Sequence, residues 1–127
     1  MKRDNFKIDV YGWTVYFIEA ENPEDNEKCC ALIKKIANFD EDDIMDIRND
    51  IRADCTGGGH HIFNSTIKTS ILFLYRQTCP QERCGVIFHE ARHLQDRVLR
   101  FAGIDDDEAA AYLTGYIGEK LYSIIIS

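Results

Sequence analysis

Apolar and polar positions divide the chain into seven segments whose periods separate strands from helices. Phe6 to Ala20 is dense in Val, Ile, Tyr, Phe and Trp and is interrupted by Gly12, which predicts one bent strand or a short hairpin turning near Tyr11-Gly12. Asn22-Pro23-Glu24-Asp25 opens a helix, with Asn as N-cap, Pro at the first position and acids in the first turn. Its apolar residues Cys29, Leu32, Ile33 and Ile36 recur three and four apart, and it is expected to stop near Asn38. A second helix starts at Asp40-Glu41-Asp42-Asp43 and carries one narrow stripe of Ile44, Ile47 and Ile51. Its acidic run fits a solvated helix start. A calcium loop would need a glycine and a glutamate at positions where this run has neither.

Thr56-Gly57-Gly58-Gly59 reads as a flexible break. Two extended runs follow, His60 to Asn64 and Ile67 to Arg76, separated by Asn64-Ser65-Thr66, so a hairpin is expected. Ile71 to Tyr75 is almost continuously apolar, as in a strand covered on both faces. Pro80 opens a long helix that runs to about Arg100 or Phe101, with Gly103 as its stop. Asp105 to Glu108 starts the last helix, which extends toward Ile126. Gly115 and Gly118 lie inside it, a cost most easily understood if another helix packs closely there. The order is strand, helix, helix, strand, strand, helix, helix, without an internal repeat.

Length and composition narrow the class. A chain of 127 residues is one domain, 1–127, and 45% apolar content allows a core without disulfides. A net charge of −7 speaks against a nucleic-acid partner, which needs a basic stripe. No apolar run is long enough for a membrane span, and the start has no signal-peptide core. The five cysteines, Cys29, Cys30, Cys55, Cys79 and Cys84, are an odd count and are read as reduced thiols in a cytoplasm. Cys29-Cys30 reads as buried packing. Cys79 and Cys84 lack the second pair that a zinc ribbon would need.

Candidate chemistry is concentrated in His89-Glu90-Ala91-Arg92-His93. On a helix, residues four apart share a face, so the two imidazoles can converge on one ion while Glu90 lies beside it. The helical phase sets His89 and His93 with Val86, Glu90 and Arg97, away from the apolar side of Ile87, Ala91 and Leu94. A catalytic zinc usually takes three protein ligands, so a third donor is required. Glu108, fifteen residues after His93, is the first candidate, and Asp105, Asp106, Asp107 and Glu119 are alternatives. Asp105-x-x-Glu108 is also a capping-box pattern. In a strict antiparallel helix pair, His93 and Glu108 would differ by roughly 9 Å in height, so spacing alone does not choose.

From His89 to Gly118 the chain resembles the gluzincin branch of zinc metallopeptidases, where an H-E-x-x-H helix is followed by a helix supplying a glutamate. Glu108-Ala109-Ala110-Ala111-Tyr112 resembles that second element. The resemblance implies an α+β, zincin-like domain: a short sheet packed on the motif helix and a C-terminal glutamate-bearing helix. It also implies zinc held by His89, His93 and Glu108, peptide hydrolysis with Glu90 as general base, and a peptide or protein substrate. Tyr112 is the expected oxyanion donor, with Tyr116 as an alternative. Substrate would lie along an upstream edge strand, either His60–Asn64 or Ile67–Arg76. His60 and His61, after three glycines, are expected near the surface on a mobile segment, where either could serve as an oxyanion donor or extra ligand. Arg97 is expected to be solvated. Two competing readings are an inactive zincin-like binding or regulatory module, and a plain α+β interaction domain in which H-E-x-x-H is fortuitous.

Overall fold

The computed structural model describes residues 1–53, 58–75, 77 and 79–127. Strands β1 (Lys2–Ile8) and β2 (Trp13–Glu19) form an antiparallel hairpin, so the first apolar segment is two strands rather than one bent strand. Gly12 closes the turn at φ 64°, a backbone conformation that side chains other than glycine rarely tolerate. A single helical turn at Pro23–Asp25, capped by Asn22, leads into α1 (Asn26–Ala37). Asn38 ends α1 in the left-handed region, as its position predicts. Asp40 caps α2 (Glu41–Arg52), exchanging hydrogen bonds with Asp43, which accounts for the acidic run there.

A second hairpin joins β3 (Gly59–Asn64) to β4 (Thr69–Leu74) through a turn at Ser65–Ile67. The expected strand from Ile67 is thus shorter, and Arg76 lies outside the described residues, as do Cys55, Thr56 and Gly57. The sheet order is β1-β2-β4-β3, with β2 and β4 parallel and the other pairs antiparallel. β4 is therefore internal and buried along its whole length, whereas β3 is an edge.

Alternation along the strands divides the apolar residues between two cores. Trp13, Val15, Phe17, Leu72 and Leu74 face α3 (Pro80–Ala102) and α4 (Asp107–Ile125). Ile18, Ile71 and Phe73 face the opposite way, into a core shared with α1 and α2. Cys29 and Cys30 sit in that second core, and burial pushes the Cys29 thiol up to about 11, which suits packing rather than reactivity. The thiols of Cys29, Cys30, Cys79 and Cys84 are all free, and the Cys79 sulfur caps α3 by accepting the Glu82 N–H. The fold is thus mixed α+β. No helix among the described residues is long and apolar enough to cross a membrane.

α3 and α4 run antiparallel. The Thr114 hydroxyl donates to Gln95, Ala110 flanks the same groove as Leu99, and Ile117 and Gly118 lie beside Phe88 and Ala91. A Cβ added at Gly115 or Gly118 would meet nothing within 4 Å, so these glycines do not serve the close helix contact expected of them. The start of α3 is pinned to the sheet instead. The Arg83 guanidinium donates to both oxygens of the buried Glu19 carboxylate at the end of β2, through Nε at 2.7 Å and Nη2 at 2.9 Å. This two-point bond raises the Arg83 pKa and fixes the orientation of the helix.

Arg83→Met is expected to lower stability by about 2 kcal/mol in denaturant unfolding, because it leaves the Glu19 charge buried without its partner. Adding Glu19→Gln is expected to recover part of that loss, whereas additive losses would show that the pair is not coupled.

Candidate metal centre

The helical phase of α3 decides what its side chains meet. Ile87, Leu94 and Val98 are buried against the sheet, and His89 and His93 flank that stripe on the exposed side. Their Nε2 atoms approach to 3.3 Å. Two nitrogens bound at about 2.0–2.1 Å to one tetrahedral zinc would stand about 3.3–3.4 Å apart, so the separation of the pair matches that of two ligands on one ion. Glu90, only 6% exposed, places Oε1 3.7 Å from His89 Nε2. Ligand atoms of His89, Glu90 and His93 all fall within 4.8 Å of one another, the one such group of three among the described residues.

Gly59 makes room for this arrangement. A Cβ there would stand 2.5 Å from the Phe73 carbonyl oxygen, 3.0 Å from Val86 Cγ1 and 3.5 Å from Glu90 Cγ. Space rather than backbone freedom requires glycine here, and the space lets α3 lie close to the sheet edge. Between α3 and β3 is a cleft of about 400 Å³. β3 contributes His60, His61 and Phe63 to its wall, and α3 contributes Glu90 and His93 and, further along, Asp96, Arg97 and Arg100.

His60 and His61 are held in β3 by specific bonds, contrary to the expected mobile segment. His60 Nε2 lies 2.8 Å from the Tyr75 hydroxyl. His61 Nε2 lies 2.8 Å from Ser70 Oγ, which also accepts the buried Trp13 indole N–H at 2.9 Å. Burial first, then the nearby His93 and Arg97, push the His61 pKa down to about 4, so at neutral pH it is an uncharged imidazole in the cleft wall. Arg97 is not simply solvated either, since its guanidinium stacks over the Phe63 ring at 4.0 Å. Arg92 lies on the surface, paired with Asp96 at 3.0 Å.

The expected contributions from α4 are not brought to this cluster. Glu108 is exposed in the first turn of α4, where its backbone N–H donates to Asp106, the actual N-cap. The capping box expected from Asp105 and Glu108 is thus replaced by a cap one residue later. α3 continues unbroken to Ala102 and α4 returns antiparallel, so Glu108 lies beyond the level of His93, the offset that spacing raised as an obstacle. Asp105, Asp106, Asp107 and Glu119 also lie outside the group of convergent ligand atoms. Tyr112 is 69% exposed and lines no part of the cleft, and the Tyr116 hydroxyl donates to the Lys7 carbonyl at 2.6 Å, tying α4 to β1. The sequence showed the histidine pair and Glu90. It understated His61 and Arg97, whose placement depends on β3 lying against α3. The alternation of β3 was the available signal, because His61 and Phe63 share the face that looks toward the motif helix.

Comparison with known proteins returned no match to a family model, a curated protein or a solved structure.

Gly59→Ala is expected to cost about 1–3 kcal/mol in thermal or denaturant unfolding, because the added methyl meets a carbonyl oxygen that cannot move independently of the strand. An unchanged midpoint would show that the approach of β3 to α3 is looser than described. His61 supplies a second test. Its pKa is about 6.5 unfolded and about 4 folded, so the unfolded chain binds the extra proton between those values. Stability of the metal-free protein should therefore fall as pH drops from 7 toward 4, by on the order of 2 kcal/mol at pH 5 from this group. His61→Gln should flatten the slope, and an unchanged slope would contradict the assignment.

Proposed function

We propose that the chain is a small zinc-dependent metallopeptidase, with a zincin-like arrangement of sheet and motif helix. The observation that carries this reading is the 3.3 Å approach of the His89 and His93 Nε2 atoms with the buried Glu90 carboxylate beside them. His89 and His93 would hold the ion. Zinc bound there supplies a Lewis acid for a peptide carbonyl and makes water acidic enough to lose a proton near neutral pH. Glu90 would accept a proton from the attacking water and return it to the departing amine. Glu90 is only 6% exposed, with its Cγ near Gly59, which supports a carboxylate shielded from bulk water at the cleft wall. The backbone of β3, unpaired by another strand along its outer edge among the described residues, offers a ladder for an extended peptide, a role the internal β4 cannot take.

A metal-binding module without hydrolysis is the second reading. It is favoured by one observation, the separation of Glu108 from the histidine pair, which leaves the third protein ligand unassigned.

Elemental analysis of protein purified without chelator or polyhistidine tag is expected to give about one zinc per chain, lost in His93→Ala. Peptide cleavage by the zinc-loaded protein is expected to fall at least about a hundredfold in Glu90→Gln while zinc is retained. Zinc binding with no Glu90-dependent cleavage would support the binding module, and no zinc uptake at all would overturn both readings.

A further inference from the structure

The following inference rests on the peptidase reading and names what its cleft selects. β3 and α3 run side by side in the same direction. Gly59 lies against Val86 and Glu90, His61 shares the cleft with His93, and Phe63 lies under the Arg97 guanidinium. The cleft therefore has two chemically different ends. Glu90 and the paired imidazoles occupy the Gly59 end, and Arg97 and Arg100 occupy the Phe63 end.

The arginine end carries cationic charge that is not already used. Among the described residues neither Arg97 nor Arg100 is paired with a carboxylate. Asp96, in the same wall, is engaged by Arg92. The chain has 22 acidic residues against 15 lysines and arginines, so two arginines without acidic partners in one cleft run against its overall balance. Arg97 Cζ lies 4.0 Å from the Phe63 ring centroid, and a guanidinium held over a ring in this way keeps N–H groups for an anion.

Strand polarity then fixes which part of a substrate meets this end. Antiparallel pairing is the more stable ladder, and a peptide paired that way on the outer edge of β3 runs from the Phe63 end toward the Gly59 end. Residues preceding the bond to be cut lie at the arginines, and the peptide C-terminus lies beyond Gly59. The anion presented to the arginines is therefore a side chain. We infer that Arg97 and Arg100 form a subsite for an Asp or Glu side chain located N-terminal to the scissile bond of a peptide substrate.

A mixture of random-sequence peptides, digested by the zinc-loaded protein and read by mass spectrometry, tests this directly. Cut peptides should be enriched in Asp or Glu within a few residues before the cleaved bond. Arg97→Glu and Arg100→Glu should each reverse that enrichment toward Lys or Arg, with Arg97→Lys retaining part of it. In parallel, zinc-loaded Glu90→Gln should bind a fluorescent peptide bearing two glutamates about tenfold more tightly than its glutamine counterpart, and the gap should close on adding Arg97→Glu. Thermal unfolding of each variant separates a lost subsite from a lost fold, and the exposed Arg100 gives a position where substitution leaves the Phe63 stack intact. Cleavage without acidic enrichment, or with enrichment only after the cut bond, would overturn the subsite while leaving the peptidase reading standing. If nothing is cut, the peptidase reading fails separately, and equal binding of the two fluorescent peptides would then overturn the subsite as well.

Discussion

The placement of α3 against the sheet edge governs everything else in this molecule. Ile87, Leu94 and Val98 bury their side chains under Leu72 and Leu74, and the Glu19–Arg83 bond fixes the first turns of the helix. Gly59 then removes the one Cβ that would hold β3 off. With the core stripe directed inward, His89 and His93 fall on the helix shoulder and Glu90 on the side facing the strand. The histidine pair is therefore a consequence of packing. Two imidazoles one helical turn apart on the shoulder of a helix share a face, so they are able to converge.

The same placement divides the molecule into two unequal flanks. α4 occupies one side of α3, held by Thr114–Gln95 and by Tyr116 reaching the Lys7 carbonyl. β3 occupies the other side, and the cleft lies between it and α3. Side chains that could act together with the histidines therefore come from the sheet edge and from α3 itself. His61 is the clearest instance. It is locked to Ser70, which is locked to Trp13, and it stays neutral beside two potentially cationic neighbours. A neutral imidazole in that wall can exchange hydrogen bonds without adding a repelling charge near an ion.

Much of the architecture was legible in the residues, because the local signals agreed with one another. Asn38 and Gly103 ended helices where helix-terminating residues should, and Asp40 and Pro80 began them. The apolar run at Ile71 to Tyr75 marked the central strand, since only a strand covered on both faces tolerates so little polarity. The misreadings on α4 share one cause, which is that they required knowing how two helices pass each other. The resemblance of Glu108-Ala109-Ala110-Ala111-Tyr112 to a glutamate-bearing helix put Glu108 with the histidines, but it carries no information on register, and an unbroken α3 carries the turn past His93. Gly115 and Gly118 misled in the same way, as small residues that face open space. His60 and His61 were obscured by the glycines before them. Those glycines read as mobility, and one of them instead supplies the room for a close contact.

X-ray absorption at the zinc edge of the metal-loaded protein, with His93→Ala measured beside it, tests the proposed centre most directly. Two imidazole nitrogens at about 2.0–2.1 Å, oxygen donors completing the shell and no sulfur are the expected result, with one nitrogen lost in the variant. Thiolate scattering, or an imidazole count that His93→Ala leaves unchanged, would place the metal elsewhere and contradict a centre built on the α3 histidines.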